Sequence, residues 1–421
     1  MWKSDNPFLN GNYAPWREEG DAYDLEVEGE IPRELSGALY RIGPNPHFQP
    51  RGRYHWFDGD GMIHGFILKD GRAAYRNRYV KTEGLRAEMK AGRALFGGLL
   101  DQVGDVAPGM PPFKNAANTN IVGYANRLLA LFEAGLPHEL TPLTLETAGL
   151  YDFGGKLMGP MTAHPKFDPT TREMLFFGYQ PIPPYLTFHR ANAAGELVES
   201  RPIDSGLPVM IHDFVTTPSH AIFFICPSVF RLENVAQGKP MFAWEPQHGT
   251  KIGVMNRANG AMQWFSAEPF FIFHFLNAYQ EDGRLIVDGC RMDSLDMSGN
   301  EFGRPPFPWR WTLDLEKGSM ASEQLEDFVS EFPRLDERLA GMRHRYGYLA
   351  ANRAAGGGFG FDSIVKRDYQ SGKAEFQKLG GGKLPGEPVF VPRAAGTAED
   401  DGWVLTVWYD PEANSSELSI Q

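Results

Sequence analysis

The sequence predicts an all-β fold, with a β-propeller preferred over a sandwich or a barrel. Short strand-like runs recur along all 421 residues, broken by 47 Gly and 32 Pro. Long helical periodicity is scarce. Three histidines in apolar or turn-rich settings, His164, His212 and His274, follow one another at intervals of about 50 and about 60 residues, each the size of one propeller blade. The strands are too many for one sandwich, and imidazoles on successive units can converge on a common axis.

The strand-like runs are Gly37–Ile42, Met62–Leu68, Ala73–Val80, Arg127–Phe132, Met174–Tyr179, Ala221–Ile225, Arg284–Asp288, Arg310–Asp314 and Trp403–Tyr409. Each is rich in β-branched, aromatic or leucine side chains and ends at a turn former. Asp70-Gly71 and Asp282-Gly283 sit beside such runs and read as hairpin turns, since both residues tolerate positive φ. The best helical segment is Gly84 to Gly98, where Leu85, Met89, Leu95 and Phe96 carry the periodicity. The Gly-rich stretches at 354–358 and 380–383 read as loops, so residues 1–421 are expected to form one domain.

A formal charge of −12 argues against a nucleic-acid partner, which favours a basic face. Cys226 and Cys290 give neither a disulfide framework nor zinc-ligand spacing, and read as small buried hydrophobes. The amino terminus lacks the basic and apolar pattern of a secretory signal, and no apolar run is long enough to span a bilayer. A cytoplasmic location with at most peripheral membrane contact is therefore expected. Aromatic residues reach 13%, 30 of them Phe, enough to line an apolar pocket.

Neutral imidazole is a ligand for iron, zinc or copper. A single strand histidine is more often structural, so the case rests on three in similar settings. The other eight (His47, His55, His64, His138, His189, His220, His248 and His344) lie in polar or turn-like contexts and read as structural or solvent-facing. Glu133, Glu331 and Glu387 each end or interrupt an apolar run. A buried carboxylate there needs a partner, and the free ring N–H of a metal-bound histidine is one. A surface or loop-capping glutamate is the plainer alternative. Asp58-Gly-Asp-Gly61 looks like part of a calcium loop but lacks the later ligands, and reads better as a turn leading into a strand. No Walker loop, Rossmann glycine motif or GxSxG elbow is present.

The segments Leu35–Pro46, Trp56–His64, Ala117–Asn120, Leu128–Pro137, Ala163–Asp168, Ile211–Phe214, Phe273–Tyr279, Glu331–Arg334 and Glu387–Pro392 together resemble the motifs of the carotenoid cleavage oxygenases. The likeness runs from about Gly29 to the end of the chain. It implies a seven-bladed β-propeller with a small helical and loop cap over its top face. It implies one Fe2+ on the axis held by four histidines, of which His164, His212 and His274 match three. Glu133, Glu331 and Glu387 match the glutamates that hydrogen-bond such ligands. The implied reaction is oxidative cleavage of a conjugated C=C bond by dioxygen, the co-substrate, giving two carbonyl products.

Two departures from the family pattern shape further expectations. The fourth ligand of the family lies in a Gly-[Phe/Leu]-His-Gly segment beyond the equivalent of Gln421, so the last blade is expected to be incomplete and the chain truncated. Stilbene-cleaving members carry a lysine where this chain has Phe132 and a tyrosine where it has Leu99. With Phe96, these residues are expected to line an apolar substrate tunnel, favouring a carotenoid or apocarotenoid over a hydroxystilbene. A stilbene-cleaving dioxygenase and a non-catalytic propeller that binds apolar ligands are the alternatives. The cap residues Leu95, Phe96, Leu99 and Leu100, with Val106–Phe113, are candidates for touching a bilayer.

Overall fold

A computed structural model describes residues 2, 4–100, 109, 113–237, 239–297, 303–353 and 360–421. Seven antiparallel sheets succeed one another along the chain and form the blades of a propeller. In blade I, Gly37–Pro44 is innermost, followed outward by Gly61–Lys69 and Arg72–Tyr79, with Gly20–Ala22 at the rim. Blades II to VI start at the axis with Asn120–Tyr124, Lys166–Phe167, Val215–Thr216, Phe271–Glu281 and Val329–Arg334. Blade IV also carries a small accessory sheet of Ser228–Phe230 and Phe242–Trp244.

Blade VII differs in depth. Leu384–Pro385 and Val389–Pro392 share one edge of Gly402–Asp410, and Ser415–Ile420 takes the other. Its four strands are arranged three deep, where those of the other six blades follow one another four deep.

Burial follows from the blade arrangement. A middle strand is covered by neighbouring blades on both faces, so consecutive residues are apolar instead of alternating. Met174–Phe177 and Ala221–Ile225 are buried without a break, whereas Ser319–Gln324 at the rim of blade V is almost wholly exposed. Aromatic rings fill the gaps between blades. Phe177 meets Phe214 edge-on at 5.1 Å, and Phe214 stacks on Phe223 at 5.4 Å, joining blades III and IV. Trp311, with no exposed surface, stacks on Phe270 at 5.5 Å and takes the edge of Phe224 at 5.2 Å, joining blades IV and V. Each such ring stabilises the fold by about 1.5–3 kcal/mol through burial alone.

All nine strand-like runs are strands, shifted by no more than a few residues at their ends. Asp70-Gly71 and Asp282-Gly283 form tight hairpins with φ of 53° and 77°, and 49° and 74°, the conformation that suits the strand twist. Helical structure is shorter than predicted. The helix spans Glu83–Ala91, starting at Thr82, whose hydroxyl accepts the Leu85 N–H at 3.1 Å. It stops at Gly92, which takes the left-handed conformation at φ 69°. Leu95 and Phe96 continue as loop, their N–H groups accepted by Glu88 Oε1 at 2.9 and 3.4 Å. Lys114 anchors this cap, bridging Asp60 and Glu88 at 2.8 Å each. Asp58-Gly-Asp-Gly61 is the turn into the strand Gly61–Lys69, as expected.

Phe96 and Leu100 are each only 5% exposed, so these two cap residues pack against the protein. Most of Val106–Phe113, and the loop at 354–358, lie outside the described residues. Among the described residues, no helix is long and apolar enough to cross a membrane. Both cysteines are free and buried, and burial pushes the Cys226 thiol up to about 12. His189 bonds the Ser200 hydroxyl at 2.8 Å and stacks on Phe176, a structural role as read from sequence.

Candidate metal centre

The first strands of all seven blades line one axial cavity of 2510 Å3. That exceeds the roughly 300–1,000 Å3 of an ordinary ligand pocket because it follows the whole axis. His164, His212 and His274 open into it. His164 lies just before the inner strand of blade III, His212 just before that of blade IV, and His274 within that of blade V. Successive blades thus deliver one imidazole each. Ligand nitrogens of the three all lie within 4.8 Å of one another, and among the described residues they are the one such cluster of metal-ligating side chains.

Each ring's orientation has a cause. Glu133 follows the strand Arg127–Leu131 of blade II and accepts His212 Nδ1–H through Oε2 at 2.7 Å. Its Oε1 accepts the Tyr179 hydroxyl at 2.9 Å. Glu331, on the inner strand of blade VI, accepts His274 Nδ1–H at 2.6 Å, and the same oxygen accepts the Phe332 N–H at 2.6 Å. A carboxylate can only accept, so Nδ1 of both rings carries the proton and Nε2 presents a lone pair. His164 Nε2 and His212 Nε2 lie 2.9 Å apart. Two bonds of about 2.1 Å meeting at a right angle on one metal ion give nearly that separation, roughly 3.0 Å. The donor set therefore fits a divalent first-row metal.

Electrostatics favour a neutral donor at His164. Burial, with the neighbouring imidazoles His212 and His274, holds His164 well below the usual histidine value. Burial also opposes charge on His274, but Glu331 outweighs it and raises that group. Burial and the adjacent Glu133 carboxylate drive the Tyr179 phenol well above its normal range, so it stays a donor.

Glu387 stands apart from the other two glutamates. It lines the cavity on blade VII, but its carboxylate takes Arg334 Nη1 at 3.0 Å and not a histidine. Arg334 also pairs with Glu337.

The expected tunnel residues are displaced from the cavity wall, which includes none of Phe96, Leu99 and Phe132 among its described residues. Glu88 folds the Phe96 backbone under the helix, and Asp58 Oδ1 holds the Leu99 N–H at 2.8 Å. Leu99 packs instead on the cluster that contains Tyr54 and Phe273. The aromatic wall that the sequence reading missed consists of Phe273, Phe57, Trp56 and Phe332. Phe273 stands 5.2 Å from His212, Phe57 is 6.4 Å from Phe273, and Trp56 is 6.2 Å from Phe57. Phe332 covers His274 at 5.4 Å. Phe273 and Phe332 each adjoin a singled-out residue in sequence, a signal that was available.

Replacing Glu331 by Gln is expected to lower metal affinity by about 10–100-fold, because an amide orients the ring poorly and makes it less basic. Glu133→Gln is expected to do the same through His212. Competition titration with a metal indicator checks both; affinities equal to the parent protein's contradict the orienting role.

Residues 13–421 match the RPE65 family, described as retinal pigment epithelial membrane protein. Resveratrol cleavage oxygenase 1 of Aspergillus fumigatus is 36% identical, over 99% of this chain and 90% of that protein. Carotenoid 9,10(9',10')-cleavage dioxygenase 1 of Arabidopsis thaliana is 34% identical, over 98% of this chain and 84% of that protein. The crystal structure of Pseudomonas brassicacearum lignostilbene dioxygenase superposes with a TM-score of 0.93 at 31% identity, covering 100% of this chain and 94% of that one. Seven blades, a converged histidine triad and a match along nearly the whole sequence lead to one conclusion: this chain belongs to the RPE65 family of carotenoid- and stilbene-cleaving dioxygenases and is an enzyme of the carotenoid-oxygenase type.

Proposed function

We propose that the protein cleaves a conjugated C=C bond of a carotenoid or apocarotenoid, using Fe2+ bound by His164, His212 and His274 and dioxygen as co-substrate. The observation that carries this reading is the triad itself, whose lone pairs converge beside an aromatic wall. Iron(II) held there supplies the activation of dioxygen for attack on an electron-rich alkene. The chain's own residues do the rest. Glu133 and Glu331 hold the rings in the donor tautomer. Phe273 and Phe332 shield two of the imidazoles from water. The rings of Phe273, Phe57 and Trp56 lead away from His212 in sequence and suit a long apolar polyene, selected by shape more than by hydrogen bonds. No protein nucleophile is required.

Stilbene cleavage is the second reading, supported by the superposition on lignostilbene dioxygenase. One assay separates the two. Iron-loaded protein is given an apocarotenal or a hydroxystilbene under air, with absorbance and product masses followed. Bleaching of the polyene with two carbonyl products is expected, and none without oxygen. Turnover of the stilbene with an inert polyene transfers the assignment to the second reading.

A further inference from the structure

Asp213 lies directly after His212 and is a buried carboxylate, 4% exposed. Its carboxylate reaches all three histidine-bearing segments. Oδ1 pairs with the ammonium of Lys166, two residues beyond His164, at 2.7 Å, and also accepts the Phe214 N–H at 2.8 Å. Oδ2 accepts the Phe275 N–H at 3.0 Å, next to His274.

The bond to Phe275 falls where the inner strand of blade V is irregular. Ile272 pairs with Arg291 and Phe275 with Gly289, so Phe273 and His274 bulge out of the ladder. The register breaks again between Phe275 and Asn277. A bulge re-aims side chains and leaves backbone groups without ladder partners. Here Asp213 supplies the missing acceptor. Opposite the bulge, Gly289 has no side chain because a Cβ there falls 2.7 Å from Ile272 Cδ1 and 3.1 Å from the His274 carbonyl oxygen.

We propose that Asp213 is a positioning residue that holds the His274 bulge in register with the segments carrying His164 and His212, and so sets the geometry of the triad. The metal-binding part of this inference rests on the triad being the ligand set. The clamp itself concerns the protein alone.

The test uses Asp213→Asn in the full chain, with Lys166→Met as a comparison that removes the ion pair but leaves the carboxylate bond to Phe275. Cobalt(II) affinity and the visible absorption of the cobalt form are measured together with amide hydrogen exchange at Phe275 in metal-free protein. For Asp213→Asn, cobalt affinity is expected to fall by about 10–100-fold, as for other residues that orient ligands. The cobalt bands are expected to shift and Phe275 exchange to accelerate, while Lys166→Met stays close to the parent protein. A folded Asp213→Asn protein with parental cobalt bands and Phe275 protection overturns the proposal. Parent protein that binds no cobalt refutes the ligand reading instead, and the exchange measurement still decides the clamp. If Asp213→Asn does not fold, Gly289→Ala presses on the same bulge from the other side. Unchanged cobalt bands in that variant overturn the proposal equally.

Discussion

His274→Ala is expected to abolish oxidative cleavage and to leave the purified protein without stoichiometric iron. Two imidazoles remain, and the surrounding wall of Phe273 and Phe332 offers no replacement donor. The substitution also costs stability. Glu331 has a side chain only 3% exposed, and its Oε1 already lacks a hydrogen-bond partner. Without the imidazole its charge loses its main neighbour, a penalty of about 1–3 kcal/mol or more for a buried acceptor. Adding Glu331→Ala to His274→Ala is therefore expected to recover thermal stability without recovering activity. Iron quantification, turnover and melting curves on the two variants check the pattern. Near-normal iron content in His274→Ala is incompatible with the assignment. His344→Ala provides the contrast: that ring is also buried, but it sits beside Asn277 and Asp288 and not in the triad, so iron content is expected to be preserved.

The largest effect on stability is expected at Asp288, on the second strand of blade V. It has no exposed surface and receives Arg310 through a two-pronged contact, Nε to Oδ1 at 2.7 Å and Nη2 to Oδ2 at 2.8 Å. Arg310→Met leaves the carboxylate buried without its cation, which costs about 3–5 kcal/mol. Removing both charges is a different matter, since the attraction in such a pair roughly offsets the desolvation of its members. Asp288→Leu with Arg310→Met is accordingly expected to regain most of the loss. Denaturant unfolding of the single and double variants measures this. A single variant within about 1 kcal/mol of the parent, the range of an exposed pair, contradicts a buried, cation-dependent carboxylate at this position.

These expectations draw on structure that was unevenly legible in the sequence. Strands buried on both faces announce themselves as unbroken apolar runs, as in Ala221–Ile225, and the hairpins at Asp70-Gly71 and Asp282-Gly283 follow from local backbone preference. The triad was legible for the same reason, since each histidine interrupts a run whose apolar character demands an explanation. Blade count came from motif resemblance, because short strands do not reveal where one sheet stops and the next begins. The helix was overextended because periodicity outvoted Gly92, which terminates it by adopting φ of 69°. Phe96, Leu99 and Phe132 were placed on the tunnel wall from alignment of motifs alone. The directions of Phe96 and Leu99 depend on Glu88 and Asp58, which fix the loop backbone by accepting their N–H groups. Asp213 was invisible for a related reason: its partners Lys166 and Phe275 sit on two other blades.

Spreading the centre over successive blades also has a consequence for biosynthesis. The ring donors leave the ribosome in the order His164, His212, His274, and the carboxylate that orients the last comes later still, at Glu331. At about 5–20 residues per second, several seconds or more separate the first of these from the last. A nascent chain exposes one or two isolated imidazoles during that interval, each a weak and unselective ligand. The triad and the two carboxylates that orient it come together only after five consecutive blades, II to VI, have docked. On the proposed ligand set, metal capture waits until these blades have formed, so that selection among available ions is made by a folded cage and not by a growing peptide.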